Sequence, residues 1–151
     1  MESSRDRSTA GNSLGPHFSI IVPAHNESRI LGRTLDGLQR QRYPQNRYTV
    51  LVVENGSTDA TYPIARKYAA ANLHVLRSAT GVSKAKNAGL NEVPTRSDWV
   101  VLLDADTRVG PDFLGQLGRY LERPGLRGAV IGSARLRPEG GGRKAELWFA
   151  W

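Results

Sequence analysis

The chain has 151 residues, and 21 Lys and Arg against 14 Asp and Glu leave a formal charge of +7. That length suits one domain with a sizeable core, and a hydrophobic fraction of 39% excludes a disordered chain. Zero cysteines exclude a disulfide scaffold, a thiolate metal site and a thiol nucleophile, and they fit a cytoplasmic location. No apolar run approaches the roughly 20 residues of a membrane-spanning helix, and the first residues carry no signal-peptide core. The basic balance raises nucleic acid or an anionic membrane surface as partners. The charge is scattered, however, and reads as a solvated face without a specific nucleic-acid site.

Residues 1–16 are rich in Ser, Gly and charge and read as a disordered leader, with the folded domain expected over 17–151. Phe18 to Val22 is a β-branched apolar run, a buried strand stopped by Pro23. Asn26 is placed to cap a helix on which Ile30, Leu31, Leu35 and Leu38 recur at helical spacing, and Tyr43-Pro44 ends it. Tyr48 to Val53 is a second buried strand, followed by a turn at Asn55-Gly56-Ser57 and a helix from Asp59 or Thr61. Leu73 to Leu76 is a short third strand, and a helix begins near Ser83 behind Gly81. Trp99 to Leu103 is the fourth strand, ending at Asp104-Ala105-Asp106, and Gly110-Pro111 precedes a helix through Leu121. Ala129-Val130-Ile131 starts a fifth strand. Beyond Gly140-Gly141-Gly142 the segment 143–151 reads as a helix, with Trp148, Phe149 and Trp151 forming a face that awaits a partner surface.

Apolar strands alternating with helices predict an α/β fold, a mostly parallel sheet with helices on both faces. Ligands of such sheets bind beyond the carboxyl ends of the strands. The unusual polar residues fall there: His25 to Glu27, Glu54 to Ser57, the Gly81 loop and Asp104 to Asp106.

Asp104 and Asp106, one residue apart behind an apolar strand, are hard oxygen ligands suited to Mg²⁺ or Mn²⁺ completed by substrate phosphates, or else solvated loop aspartates. A dehalogenase-type phosphatase motif is set aside, because Arg108 stands where that motif has Thr or Val. Lys84 and Lys86 lie in the first turns of a helix behind Gly81, an arrangement suited to a diphosphate and equally compatible with solvated lysines. Its spacing matches neither the P-loop nor the dinucleotide fingerprint. Asn55 and Asp59 are placed to bond a base or ribose, or to serve as turn and helix cap. Histidines at 17, 25 and 74 lack zinc-ligand spacing.

Together, IIVPAHNES, VVENGSTDAT, GVSKAKNAGL and VVLLDADTRVGPDFL resemble glycosyltransferase family 2 in order and approximate spacing over residues 18–136. The resemblance implies a Rossmann-like GT-A fold, here a nucleotide-sugar-binding portion incomplete at the C-terminus. It also implies transfer of a sugar from a nucleotide diphosphate-sugar to an acceptor hydroxyl, with inversion and a divalent cation. Pro23 and Glu27 match the motif beside the nucleotide, and Asn55 stands where relatives often have an aspartate facing the base. Lys84 and Lys86 match basic positions near the diphosphate, Asp104 the acid near ribose or sugar, and Asp106 the metal ligand. The implied acceptor is lipid-linked or a polysaccharide, with peripheral contact to the inner face of a membrane. Two features depart from the pattern: Glu54-Asn55 replaces Asp-Asp, and no general base is assigned among the 45 residues after Asp106. A non-catalytic nucleotide-sugar-binding module, or an inactive remnant, is the alternative.

Overall fold

The computed structural model describes residues 15–123, 135–139 and 142–146. Four strands form one parallel sheet: β1 Phe18–Ala24, β2 Tyr48–Glu54, β3 Leu73–Arg77 and β4 Trp99–Leu102, in the order β3-β2-β1-β4. Each β-to-β step within it crosses over through a helix: α1 Leu31–Gln39, α2 Thr61–Lys67 and α3 Val82–Asn91, with α4 Phe113–Leu121 after β4. Strand register runs Phe18 to Tyr48 and Phe18 to Trp99, so β1 is central and pairs on both edges.

The two-residue period of the strands divides the core. Phe18, Ile20 and Val22 of β1, with Tyr48, Val50 and Val52 of β2, pack beneath Leu31, Leu35 and Leu38 of α1, Ala65 of α2 and Phe113, Leu114 and Leu117 of α4. Ile21, Leu51 and Val53 face the other way, against Ala85 and Ala88 of α3. Helices therefore cover both faces, as the unbroken apolar strands predict. Gly89 lets α3 settle on the sheet, because a Cβ there would stand 2.6 Å from Ile21 Cγ2.

Pro23 lies within β1 and does not stop it. The ladder with β4 ends at Ile21–Leu102, so past that point a residue without an N–H is tolerated. Helix α1 ends at Gln39, ahead of Tyr43-Pro44, and Gln41 Nε2 bonds the Gly37 carbonyl of its last turn. Asn26 does not cap it: no side chain bonds at its N-cap, Ile30.

The segment expected to be helical is extended where it is described. β5 Arg135–Glu139 and β6 Gly142–Glu146 pair antiparallel, Glu139 opposite Gly142, as a separate two-stranded sheet. Helical periodicity over so short a stretch is a weak signal, and antiparallel strand pairing outweighs it. The expected strand at 129–131, residues 147–151 with their aromatic face, and residues 1–14 of the expected leader lie outside the described residues. Gly15 and Pro16, the last two of that leader, are held by Arg47 and by the Tyr43 hydroxyl through their carbonyls. Among the described residues, no helix is long and apolar enough to cross a membrane.

Candidate functional site

In a parallel sheet all strand ends of one sense share an edge. The order β3-β2-β1-β4 reverses direction between β1 and β4, and a crevice opens at such a switch point beyond the carboxyl ends. Pro23, next to last in β1, the loop after β1 with Glu27, and the loop after β4 with Asp104 and Asp106 stand at that switch point. Asn55 lies next to them at the end of β2, and the Gly81 loop with Lys84 and Lys86 lies further along the same edge. The topology thus brings every sequence-predicted site residue to one rim.

The loops after β1 and β2 are tied to each other. Asn26 adopts φ 54°, a left-handed conformation that asparagine tolerates, and its Oδ1 accepts from the Thr58 amide at 2.9 Å. The Asn26 amide donates to Ser57 Oγ at 3.1 Å, and the Glu27 amide to Thr61 Oγ1 at 2.8 Å. Asp59 accepts from the Thr61 amide and hydroxyl on one oxygen and from the Ser28 amide on the other. Hydrogen bonds from Thr61 and Ser28 hold its carboxyl far below the usual range. Asp59 therefore fastens the two loops to each other; the N-cap position of α2 is Ala60, with no side-chain cap bond, so the expected helix-cap role is not the one it fills. His25 completes the link, its Nδ1–H donating to the Asn55 carbonyl at 3.1 Å and its Nε2 accepting from Asn26 Nδ2 at 3.3 Å.

Glu54 and Asn55 divide the work of the second loop. Glu54 is 1% exposed; its carboxylate accepts from the Ser57 amide and, at 3.1 Å, from Arg77 Nε on β3. Burial alone would raise its pKa, and the bonds from Ser57 and Arg77 outweigh that and lower it. Asn55 is 2% exposed, and its Oδ1 is the buried side-chain atom without a partner among the described residues. An acceptor left so costs about 1–3 kcal/mol.

Beyond β4 the chain alternates: Ala105, Thr107 and Val109 are buried, while Asp104 and Asp106 point to solvent. Neither aspartate side chain has a hydrogen-bond or ion-pair partner among the described residues. Glu27, half-buried across the crevice, has its pKa raised by burial and then by the charges of Asp106 and Asp59, against the opposing pull of His25. No three His, Cys, Asp or Glu side chains form a metal cage among the described residues. The donor set still fits a Mg²⁺- or Mn²⁺-type ion, which needs one or two carboxylates and completes its shell with water and phosphate. Asp104 and Asp106, exposed and with no side-chain partner among the described residues, leave their oxygens available to it. Lys84 is exposed and Lys86 half-buried in the first turns of α3, and neither is ion-paired among the described residues.

Sequence reasoning missed two supports of this rim, Thr34 and Gln41. Both are buried polar residues, and Thr34 falls on the apolar face of α1 beside Leu35 and Leu38, a sequence signal that was available.

A doubly covered parallel sheet with its polar loops gathered at the switch point defines a Rossmann-like, nucleotide-binding type of α/β domain. More narrowly, residues 19–148 match the sequence model of glycosyl transferase family 2, and the chain belongs to that family. A beta-monoglucosyldiacylglycerol synthase of Synechocystis sp. is 34% identical over 115 residues, covering 72% of this chain and 24% of the relative. The mannosyltransferase PcManGT of Pyrobaculum calidifontis, solved with GDP-Man and Mn²⁺, superposes with a TM-score of 0.67 at 28% identity over 74% of this chain and 34% of that one. TarS 1-349 of S. aureus, solved with UDP-GlcNAc, gives 0.65 at 26% identity, covering 77% and 37%. The fold is accordingly of the GT-A Rossmann-like type. The chain spans about a quarter of the length of the curated relatives it matches.

Proposed function

We propose that this chain is the donor-binding portion of an inverting glycosyltransferase that moves a sugar from a nucleotide diphosphate-sugar to an acceptor hydroxyl. The observation that carries the reading is the buried, unpartnered Oδ1 of Asn55 at the rim of the sheet. A nucleobase N–H supplies the missing donor, and the Asn55 Nδ2 adds a donor that an aspartate would lack. Lys84, Lys86 and the α3 N-terminus face the diphosphate, and Asp104 the ribose or sugar. A divalent cation on Asp106, when bound, supplies charge neutralisation for the departing diphosphate. In the complete reaction the acceptor oxygen bonds the anomeric carbon as its bond to the nucleoside diphosphate breaks, and a general base takes the hydroxyl proton. No described residue is assigned that role. A lipid acceptor is supported by the name of the Synechocystis relative, and contact with an anionic membrane surface by the basic surplus of the chain.

Calorimetry with UDP-, GDP- and dTDP-sugars, with and without Mn²⁺, tests the reading. Metal-dependent binding of at least one is expected, and Asp106→Asn should abolish the metal dependence while the near-UV spectrum stays native. A folded chain that binds none of them overturns the donor assignment, and unchanged Mn²⁺ dependence in Asp106→Asn overturns the metal assignment.

A further inference from the structure

Helix α1 does more than cover the sheet. One side of it, continued by Gln41 past its end, meets the loop that carries Asp104 and Asp106. Thr34 is 0% exposed, and its hydroxyl donates to the Ala105 carbonyl at 2.6 Å. At Gly37 a Cβ would stand 2.8 Å from the Val109 carbonyl oxygen, so helix and loop backbones touch with no side chain between them. At the far end Gln41 Nε2 donates to the Gly110 carbonyl at 2.7 Å, and its Oε1 accepts from the Leu114 amide of α4 at 3.0 Å.

The sheet's last bond to this loop runs from the Leu103 amide to the Ile21 carbonyl at 2.9 Å. From there to Gly110, the long-range hydrogen bonds among the described residues come from Thr34 and Gln41. Ala105 stands between the two carboxylates, and the turn around it is closed by the Thr107 amide on the Asp104 carbonyl at 3.0 Å. Both aspartates are exposed and unpartnered, so their positions follow from the backbone of that turn alone.

We propose that Thr34 is a positioning residue for the Asp104 and Asp106 carboxylates: by fixing the Ala105 carbonyl it sets the direction in which both acids leave the sheet. The proposal rests on reading those acids as the donor and metal site. Groups that orient ligands from behind change metal affinity or activity by about 10–100-fold when removed.

The test compares Thr34→Val, which keeps the shape and loses the hydroxyl, with Thr34→Ser, which keeps the hydroxyl. Amide hydrogen exchange on the full chain without ligand is read first. In Thr34→Val the Thr107 amide should exchange at least about tenfold faster while the β1 and β2 amides hold their rates, and Thr34→Ser should match the parent. Affinity for a UDP- or GDP-sugar in Mn²⁺ should fall about tenfold or more in Thr34→Val and be restored in Thr34→Ser. Unchanged Thr107 exchange overturns the proposal, and so does a uniform rise over the whole sheet, which marks Thr34 as a packing residue only. If the parent chain binds no nucleotide sugar, the functional reading falls separately, and the exchange data decide whether Thr34 holds the turn.

Discussion

Replacing Glu54 with Gln removes one charge from a buried site and leaves its shape. In the parent, one carboxylate oxygen accepts from the Ser57 amide and the other from Arg77 Nε. The Gln carbonyl can keep the Ser57 bond, which then drops from charge-assisted to neutral at a cost of about 1 kcal/mol. Its amide nitrogen then faces the Arg77 N–H, donor against donor. The Arg77 side chain is 65% exposed, so water screens that pair, and about another 1 kcal/mol is the appropriate loss. A total near 2 kcal/mol lowers the melting temperature by roughly 6 °C for a domain of this size. The pH dependence gives a second handle. Folding lowers the Glu54 pKa, so its stabilisation is present above the unfolded value of 4.5 and is lost as pH falls through the folded value. Circular dichroism melts at pH 7 should therefore separate Glu54→Gln from the parent, and the gap should narrow as the pH is taken progressively below 4.5. Equal melting temperatures at pH 7, or a gap that persists undiminished in acid, would refute the reasoning.

The other end of the sheet supplies a different pH window. His17 is 2% exposed and its pKa is lowered by burial, then by Arg96 and Arg47, with Asp98 opposing. Its Nε2 accepts from Arg96 Nε and its Nδ1 meets Ser97 Oγ, so protonation would set N–H against N–H. The unfolded imidazole takes a proton near 6.5 and the folded one only below that, so this stability is complete above pH 6.5 and is lost on acidification. Urea midpoints between pH 7.5 and 5 should fall more steeply in the parent than in His17→Gln, and parallel slopes would contradict this. Gly89→Ala, ordinarily a gain of about 1 kcal/mol in a helix, should instead cost about 1–3 kcal/mol, because the new Cβ meets Ile21 at 2.6 Å. A raised melting temperature for Gly89→Ala would show that α3 shifts freely.

The local pattern by itself determined the sheet. Unbroken β-branched runs at Phe18 to Val22 and Tyr48 to Val53 can only be buried on both faces, and helices between them force parallel strands. Parallel strands put all their carboxyl ends on one edge, so the gathering of Glu27, Asn55 and Asp106 was legible before any coordinate. What the sequence could not decide is which polar group is consumed in holding the rim together and which is left unpartnered. Asp59 offered helix cap or ligand contact, and Asn55 offered turn or ligand contact. Tertiary structure separates them, because Thr61 and Ser28 occupy both oxygens of Asp59 while the Asn55 Oδ1 has no partner among the described residues. Asn26 looked like a helix cap from its neighbours, yet a loop 32 residues away claims its side chain. The part played by Thr34 depends on a carbonyl 71 residues distant. The local pattern records which face of an element is apolar, whereas hydrogen-bond partners are assigned only when the strand order brings distant loops side by side.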